Sequence, residues 1–181
     1  MKYWLLLIGL LSTVSLSAQV GVFRTYEDFV AGRIETYAKF VSTNHAAGNF
    51  KVVFKDKGGQ KVKFNLNKEK IWGYVDDLKK IYRINDKKQP CVVFEVGEIV
   101  LYGNYSTSFN PEGEVVMNLN QFGAYASQGL GEPMVKLTKK NILSFYPKGS
   151  KQYNYLKSCS KVTEPLVECI VEFNKQAEKK K

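Results

Sequence analysis

Phe50-Lys51-Val52-Val53-Phe54-Lys55 and Lys61-Val62-Lys63-Phe64-Asn65-Leu66, separated by Asp56-Lys57-Gly58-Gly59-Gln60, decide the fold class. Their hydrophobic period is two, which is the period of a strand with one buried face. Phe50, Val52 and Phe54 share one face, and Val62, Phe64 and Leu66 share another. A three-residue loop, Lys57-Gly58-Gly59, pairs Phe54 with Val62, Val52 with Phe64 and Phe50 with Leu66, so the two apolar faces coincide. A two-residue loop at Gly58-Gly59 slips the register by one and sets apolar side chains opposite lysines. The favoured register places Lys51, Lys55, Lys61 and Lys63 outward, with Lys55 opposite Lys61 as a like-charge pair.

Working outward, Ile71-Trp72-Gly73-Tyr74-Val75 and Lys80-Ile81-Tyr82-Arg83-Ile84 read as two strands around the turn Asp76-Asp77-Leu78-Lys79. A helix from Val75 to Ile84 fits their β-branched and aromatic content less well. Cys91–Val96 and Ile99–Tyr102, divided by Gly97, are apolar on both alternating faces, as expected of strands near the middle of the fold. Tyr105–Phe109 and Glu114–Leu119 flank Asn110-Pro111-Glu112-Gly113, a third hairpin turn. The stretch before Asn49, with Ser42, Thr43, Asn44 and Gly48, reads as a loop around His45. After Gln121, glycines and Pro133 break the pattern until a last strand at Met134–Leu137.

Three segments carry helix signals. Thr25 caps a short helix that reaches Gly32, with Asp28 three positions on. Thr138 caps a second through about Tyr146, stopped by Pro147, and a third follows Thr163 with Pro165 in its first turn. The third buries Leu166, Val167, Ile170, Val171 and Phe173. The class is therefore α+β: a mainly antiparallel sheet built from hairpins, with short helices at the C-terminal end.

Residues 1–18 read as an address. Lys2 is followed by the apolar Leu5–Leu11 run and by Ser15-Leu16-Ser17-Ala18, a small-x-small ending that places cleavage between Ala18 and Gln19. The run is shorter than the roughly 20 residues a membrane helix needs. Export to the periplasm or outside follows, and no cysteine stands after the cleavage position to carry a lipid. Removing 1–18 leaves 163 of 181 residues, enough for one domain over 19–178, with 179–181 as a basic tail. The net charge of +10 allows an anionic surface as partner, while export and missing zinc-finger or RNA-binding signatures argue against nucleic acid.

Chemistry is sparse. His45 is the only histidine, and no nucleophile or metal pattern surrounds it. Cys91 reads as a buried small hydrophobe, whereas Cys159 and Cys169 could form a disulfide in an oxidising compartment. Asp76-Asp77 and Glu95/Glu98 are the carboxylate pairs a hydrolase would need, but a solvated turn and a wet hairpin tip are the simpler reading of each. Alternating Phe and Tyr read as core before they read as a sugar-stacking face. Asn104-Tyr105-Ser106 matches a glycosylation sequon. Phosphate-loop, dinucleotide, zinc-protease and lipase motifs are missing, so no cofactor is implied. The four outward lysines form the one constellation that geometry creates, able to hold a phosphate-rich or acidic polysaccharide partner, although a charged face that discourages edge-to-edge pairing is the commoner use of such lysines.

Ser17-Ala18-Gln19, Thr25-Tyr26-Glu27-Asp28-Phe29, Ile71-Trp72-Gly73-Tyr74 and Tyr82-Arg83 together resemble the small exported proteins common in Bacteroidota. The resemblance implies export and a β-rich domain and carries over no site residue. The expectation is a non-enzymatic binding domain of the cell envelope, with an envelope protein or anionic surface as partner. A carboxylate-based secreted hydrolase and electrostatic attachment to anionic lipid or polysaccharide are the alternatives.

Overall fold

The computed structural model describes residues 19–46, 49–104, 107–109, 115–117 and 124–179. The expected signal segment 1–18, the Asn110–Gly113 turn, Tyr105 and Ser106 of the sequon, and the last two lysines lie outside these residues. Gln19 is exposed and leads directly into the first strand.

In chain order the elements are β1 (Val20–Phe23), α1 (Tyr26–Val30), β2 (Glu35–Tyr37), β3 (Lys39–Ala46), β4 (Asn49–Lys55), β5 (Lys61–Asn65), β6 (Gly73–Val75) and β7 (Ile81–Ile84). There follow β8 (Pro90–Glu95), β9 (Val100–Asn104), β10 (Thr107–Phe109), β11 (Val115–Met117), β12 (Ala124–Ser127) and β13 (Val135–Lys136). Three helices close the chain: α2 (Lys139–Leu143), α3 (Lys151–Ser158) and α4 (Thr163–Glu178). Among the described residues, eight strands form one sheet in the order β13-β12-β9-β8-β7-β6-β1-β2, and β3-β4-β5 form a second. β10 and β11 pair by themselves, Phe109 opposite Val115. Every described pairing is antiparallel, and the fold is the α+β, hairpin-built class with helices at the C-terminal end.

The β4–β5 hairpin has the register that alternation requires. Phe54 pairs with Val62, Val52 with Phe64 and Lys55 with Lys61, and the Leu66 amide donates to the Phe50 carbonyl at 3.0 Å. Asp56 closes the loop by accepting from the Gln60 amide at 2.8 Å, and Gly59 takes φ +81°, a conformation that other residues adopt at a cost. The loop expected around His45 is instead β3, paired along β4 with Phe40 opposite Phe54 and Thr43 opposite Val52. Its polar sequence hides a strand because Thr43 finds a partner across the core: Thr43 Oγ1 lies 2.8 Å from the Tyr74 hydroxyl.

One face of the large sheet carries two covers. Over β1, β6, β7 and β8 lies the small sheet, and Val22, Tyr74, Tyr82 and Val92 pack against Val52, Phe54, Phe64 and Leu66. Tyr74 and Tyr82 stack at 4.6 Å, so these alternating aromatics are core. Over β9 and β12 lie the helices, where Leu101 and Ala126 meet Ile142, Leu156, Leu166, Ile170 and Phe173. On the opposite face α1 packs its Phe29 against Phe23 and Trp72. Gly73 stands between strands so closely that a Cβ there would lie 2.3 Å from the Tyr82 carbonyl oxygen.

Several elements differ from the sequence reading. α2 stops at Leu143, short of Tyr146, while Thr138 caps it as expected by accepting from the Asn141 amide. α3 is not among the expected helices, although Ser150 caps it by accepting from the Tyr153 amide at 3.1 Å, and β12 is too short to show a period. In α4, Val167 and Val171 are half-buried, and Asn174 is buried. At the Val96-Gly97 tip Val96 is 54 % exposed, while the residues flanking it are held by Asn174. Its Oδ1 accepts from the Ile99 amide at 3.0 Å, and its Nδ2 donates to the Ile99 carbonyl at 2.7 Å and to Glu95 Oε1 at 3.2 Å. The base of the hairpin is docked on the last helix.

Candidate functional site

The outer face of the small sheet is a three-by-three grid set by register. Across the strands its rows are Lys39–Lys55–Lys61, Ser42–Val53–Lys63 and Asn44–Lys51–Asn65. The grid brings together the four lysines expected on the hairpin face and adds Lys39 from β3, which the loop reading of that segment missed. All five lysines are exposed. No carboxylate occupies a grid position, and among the described residues none forms an ion pair with any of the five. The bulge between Phe40 and Ser42 keeps Ser42 and Asn44 on this face while Phe40 and Thr43 remain inward.

With strands about 4.8 Å apart and about 3.4 Å per residue, the grid spans roughly 10 by 14 Å. Its central residue, Val53, is only 5 % exposed, so the face offers mainly ammonium, hydroxyl and amide groups. Lys51 and Lys55 lie on the central strand, hydrogen-bonded on both sides. Lysines on β3 and β5 can discourage edge-to-edge association, but lysines on β4 have no edge to guard. Three lysines in one cross-strand row also oppose each other, a destabilising arrangement that the fold carries without neutralising acids.

The other expected site residues are placed apart from this grid. The Asp76 carboxylate is buried and accepts from the Leu78 and Lys80 amides at 2.9 Å each and from the Tyr82 hydroxyl at 3.1 Å, while Asp77 accepts from the Phe40 amide at 3.1 Å. That pair shapes a turn and ties it to β3. Glu95 bonds Asn174, as above. Cys91 is fully buried, and burial pushes its thiol up to about 12, which keeps it protonated and unreactive. His45 lies in β3 opposite Phe50. A disulfide joins Cys159, at the end of α3, to Cys169 in α4. Among the described residues, no group of three His, Cys, Asp or Glu is arranged to hold a metal, and no helix is long and apolar enough to cross a membrane.

No family model matches the chain, and neither a curated protein nor a solved structure matches it.

Proposed function

We propose that the protein is an exported, non-enzymatic binding domain that attaches to an acidic polysaccharide of the cell envelope through the lysine grid. The carrying observation is the set of five unneutralised lysines, two of them on a central strand where edge protection gives no reason for them. Neither of the two cavities found at the helical end, one between α2 and α3 and one beside α3 and α4, includes a grid residue, and an open sheet face favours an extended polymer over a small molecule, which would need a concavity. Ser42, Asn44 and Asn65 add groups that bond sugar hydroxyls, and Val41, the exposed bulge residue of β3, is a single apolar side chain, far less than the apolar face that inserts into a bilayer. Export is supported by the Leu5–Leu11 run and the Ser17-Ala18-Gln19 cleavage pattern, and the Cys159–Cys169 bond agrees with an oxidising compartment.

The test is retention of the protein on an acidic polysaccharide and on phosphatidylglycerol vesicles across a salt series, beside a variant with Lys51, Lys55, Lys61 and Lys63 changed to Gln. Binding to the polysaccharide should weaken steeply as the screening length falls from about 30 Å at 0.01 M to about 8 Å at 0.15 M. The variant should lose it. Equal binding by the variant, or binding indifferent to salt, overturns the assignment, and preference for vesicles moves the partner from polymer to lipid.

A further inference from the structure

The helical end holds a second basic site, remote in sequence from the grid. A cavity of about 680 Å³ opens between α2, α3 and the segment that follows α3. That volume falls within the range of small-molecule sites, about 300–1,000 Å³. Leu143, Tyr146 and Tyr153 supply apolar wall, and Tyr146 is only 8 % exposed, so this part of the lining is anchored in the core. Lys139, Lys140, Lys148 and Lys161 supply the charge. No acidic residue lines the cavity. Among the described residues Lys140, Lys148 and Lys161 have no carboxylate partner.

Two links hold the rim. The Lys139 ammonium donates to the Cys159 carbonyl, joining the start of α2 to the end of α3. The Cys159–Cys169 disulfide then joins that point to α4, so the segment bearing Lys161 is pinned at both ends. Apolar wall beside unpaired cations matches a ligand with an apolar body and an anionic end. A neutral lipid would leave the cations without a partner, and a simple inorganic anion would leave the apolar wall uncovered.

We propose that this cavity binds a free, single-chain amphiphilic anion, an acyl carboxylate or its sulfonate equivalent, independently of the lysine grid. The experiment titrates the purified protein with dodecanoate below its micelle concentration, by calorimetry and by displacement of 1-anilinonaphthalene-8-sulfonate. The expected result is saturable one-to-one binding, weakened at least tenfold in a Lys140→Gln/Lys148→Gln/Lys161→Gln variant. Dodecanol should bind at least tenfold more weakly than dodecanoate. The Lys51, Lys55, Lys61, Lys63 to Gln variant should bind dodecanoate unchanged, so failure of the grid reading leaves this one standing, and the reverse. Circular dichroism of both variants should match the parent, because the altered lysines are exposed. No saturable binding, equal binding by the Lys140/Lys148/Lys161 variant, or loss in the grid variant overturns the proposal. Displacement of the dye by phosphatidylglycerol vesicles in the grid variant overturns the free-anion assignment in favour of bilayer lipid.

Discussion

Arg83 is 7 % exposed on the sheet face opposite the two covers, and no carboxylate pairs with it among the described residues. A buried cation without a counterion costs several kcal/mol unless hydrogen bonds and ring faces replace its water. Its Nη1 donates to the Tyr102 hydroxyl at 2.8 Å and its Nη2 to the Glu132 carbonyl at 2.7 Å. The guanidinium also sits 5.7 Å from the Trp72 ring centre and 5.6 Å from that of Tyr102. The Tyr102 hydroxyl meets Ser127 Oγ at 2.7 Å, and Ser127 donates to the Gly129 carbonyl at 2.6 Å, so one chain of bonds ties β7, β9 and β12 to the loop beyond. Arg83→Lys keeps the charge but cannot reach both sides as a planar fork. It should lower stability by roughly 1.5–3 kcal/mol in urea unfolding, the worth of a hydrogen bond to a charged group, and an unchanged midpoint would remove Arg83 from this role. Nothing in Tyr82-Arg83-Ile84 announces the network, because its partners come from positions 19 to 49 residues away.

At the scale of elements, the β4–β5 hairpin was legible because alternation and loop length are local and because slipping the register would bury lysines. β3 was not, since Ser42, Thr43 and Asn44 look like loop residues until Thr43 is seen to meet Tyr74 across the core. The candidate face was therefore four-fifths visible: Lys51, Lys55, Lys61 and Lys63 follow from the hairpin, and Lys39 required the third strand. This geometry separates stability from binding. Lys55→Glu turns the Lys39–Lys55–Lys61 row into two opposite-charge pairs and should stabilise the protein by about 0.2–1 kcal/mol for each pair. The same change should weaken retention on acidic polysaccharide. A substitution that raised the melting temperature and left retention intact would show that the row is not part of the binding surface.

At the scale of the molecule, one face of the eight-stranded sheet is shared by a small sheet and a helical end, and burial beneath and opposite them governs alkaline stability. Burial raises the pKa of Cys91 to about 12 from an ordinary 9.0, and burial likewise raises Tyr102, Tyr125 and Tyr146 above 10.0, with Glu98 adding to the last. Each group holds its proton more firmly when folded, so these contributions are complete below about pH 9 and are lost as pH rises and the unfolded chain ionises first. Urea midpoints should fall above about pH 9, and Cys91→Ala should delay the fall towards the tyrosine range near pH 10; midpoints insensitive to pH between 8 and 11 would contradict the burial of these groups. The sequence by itself determined the antiparallel class, the hairpin register, the helix caps at Thr25 and Thr138, and an outward lysine face, because each rests on side-chain period or on hydrogen bonds a few residues apart. Only the tertiary structure decided that β3 is a strand, that Asn174 holds the base of the Val96-Gly97 hairpin, that Arg83 is held by Tyr102 and the Glu132 carbonyl without an acid, and that lysines of α2 and of the loops on either side of α3 surround one cavity. Those features depend on partners brought together by how the elements pack on the two faces of the large sheet, and on no pattern within any single segment.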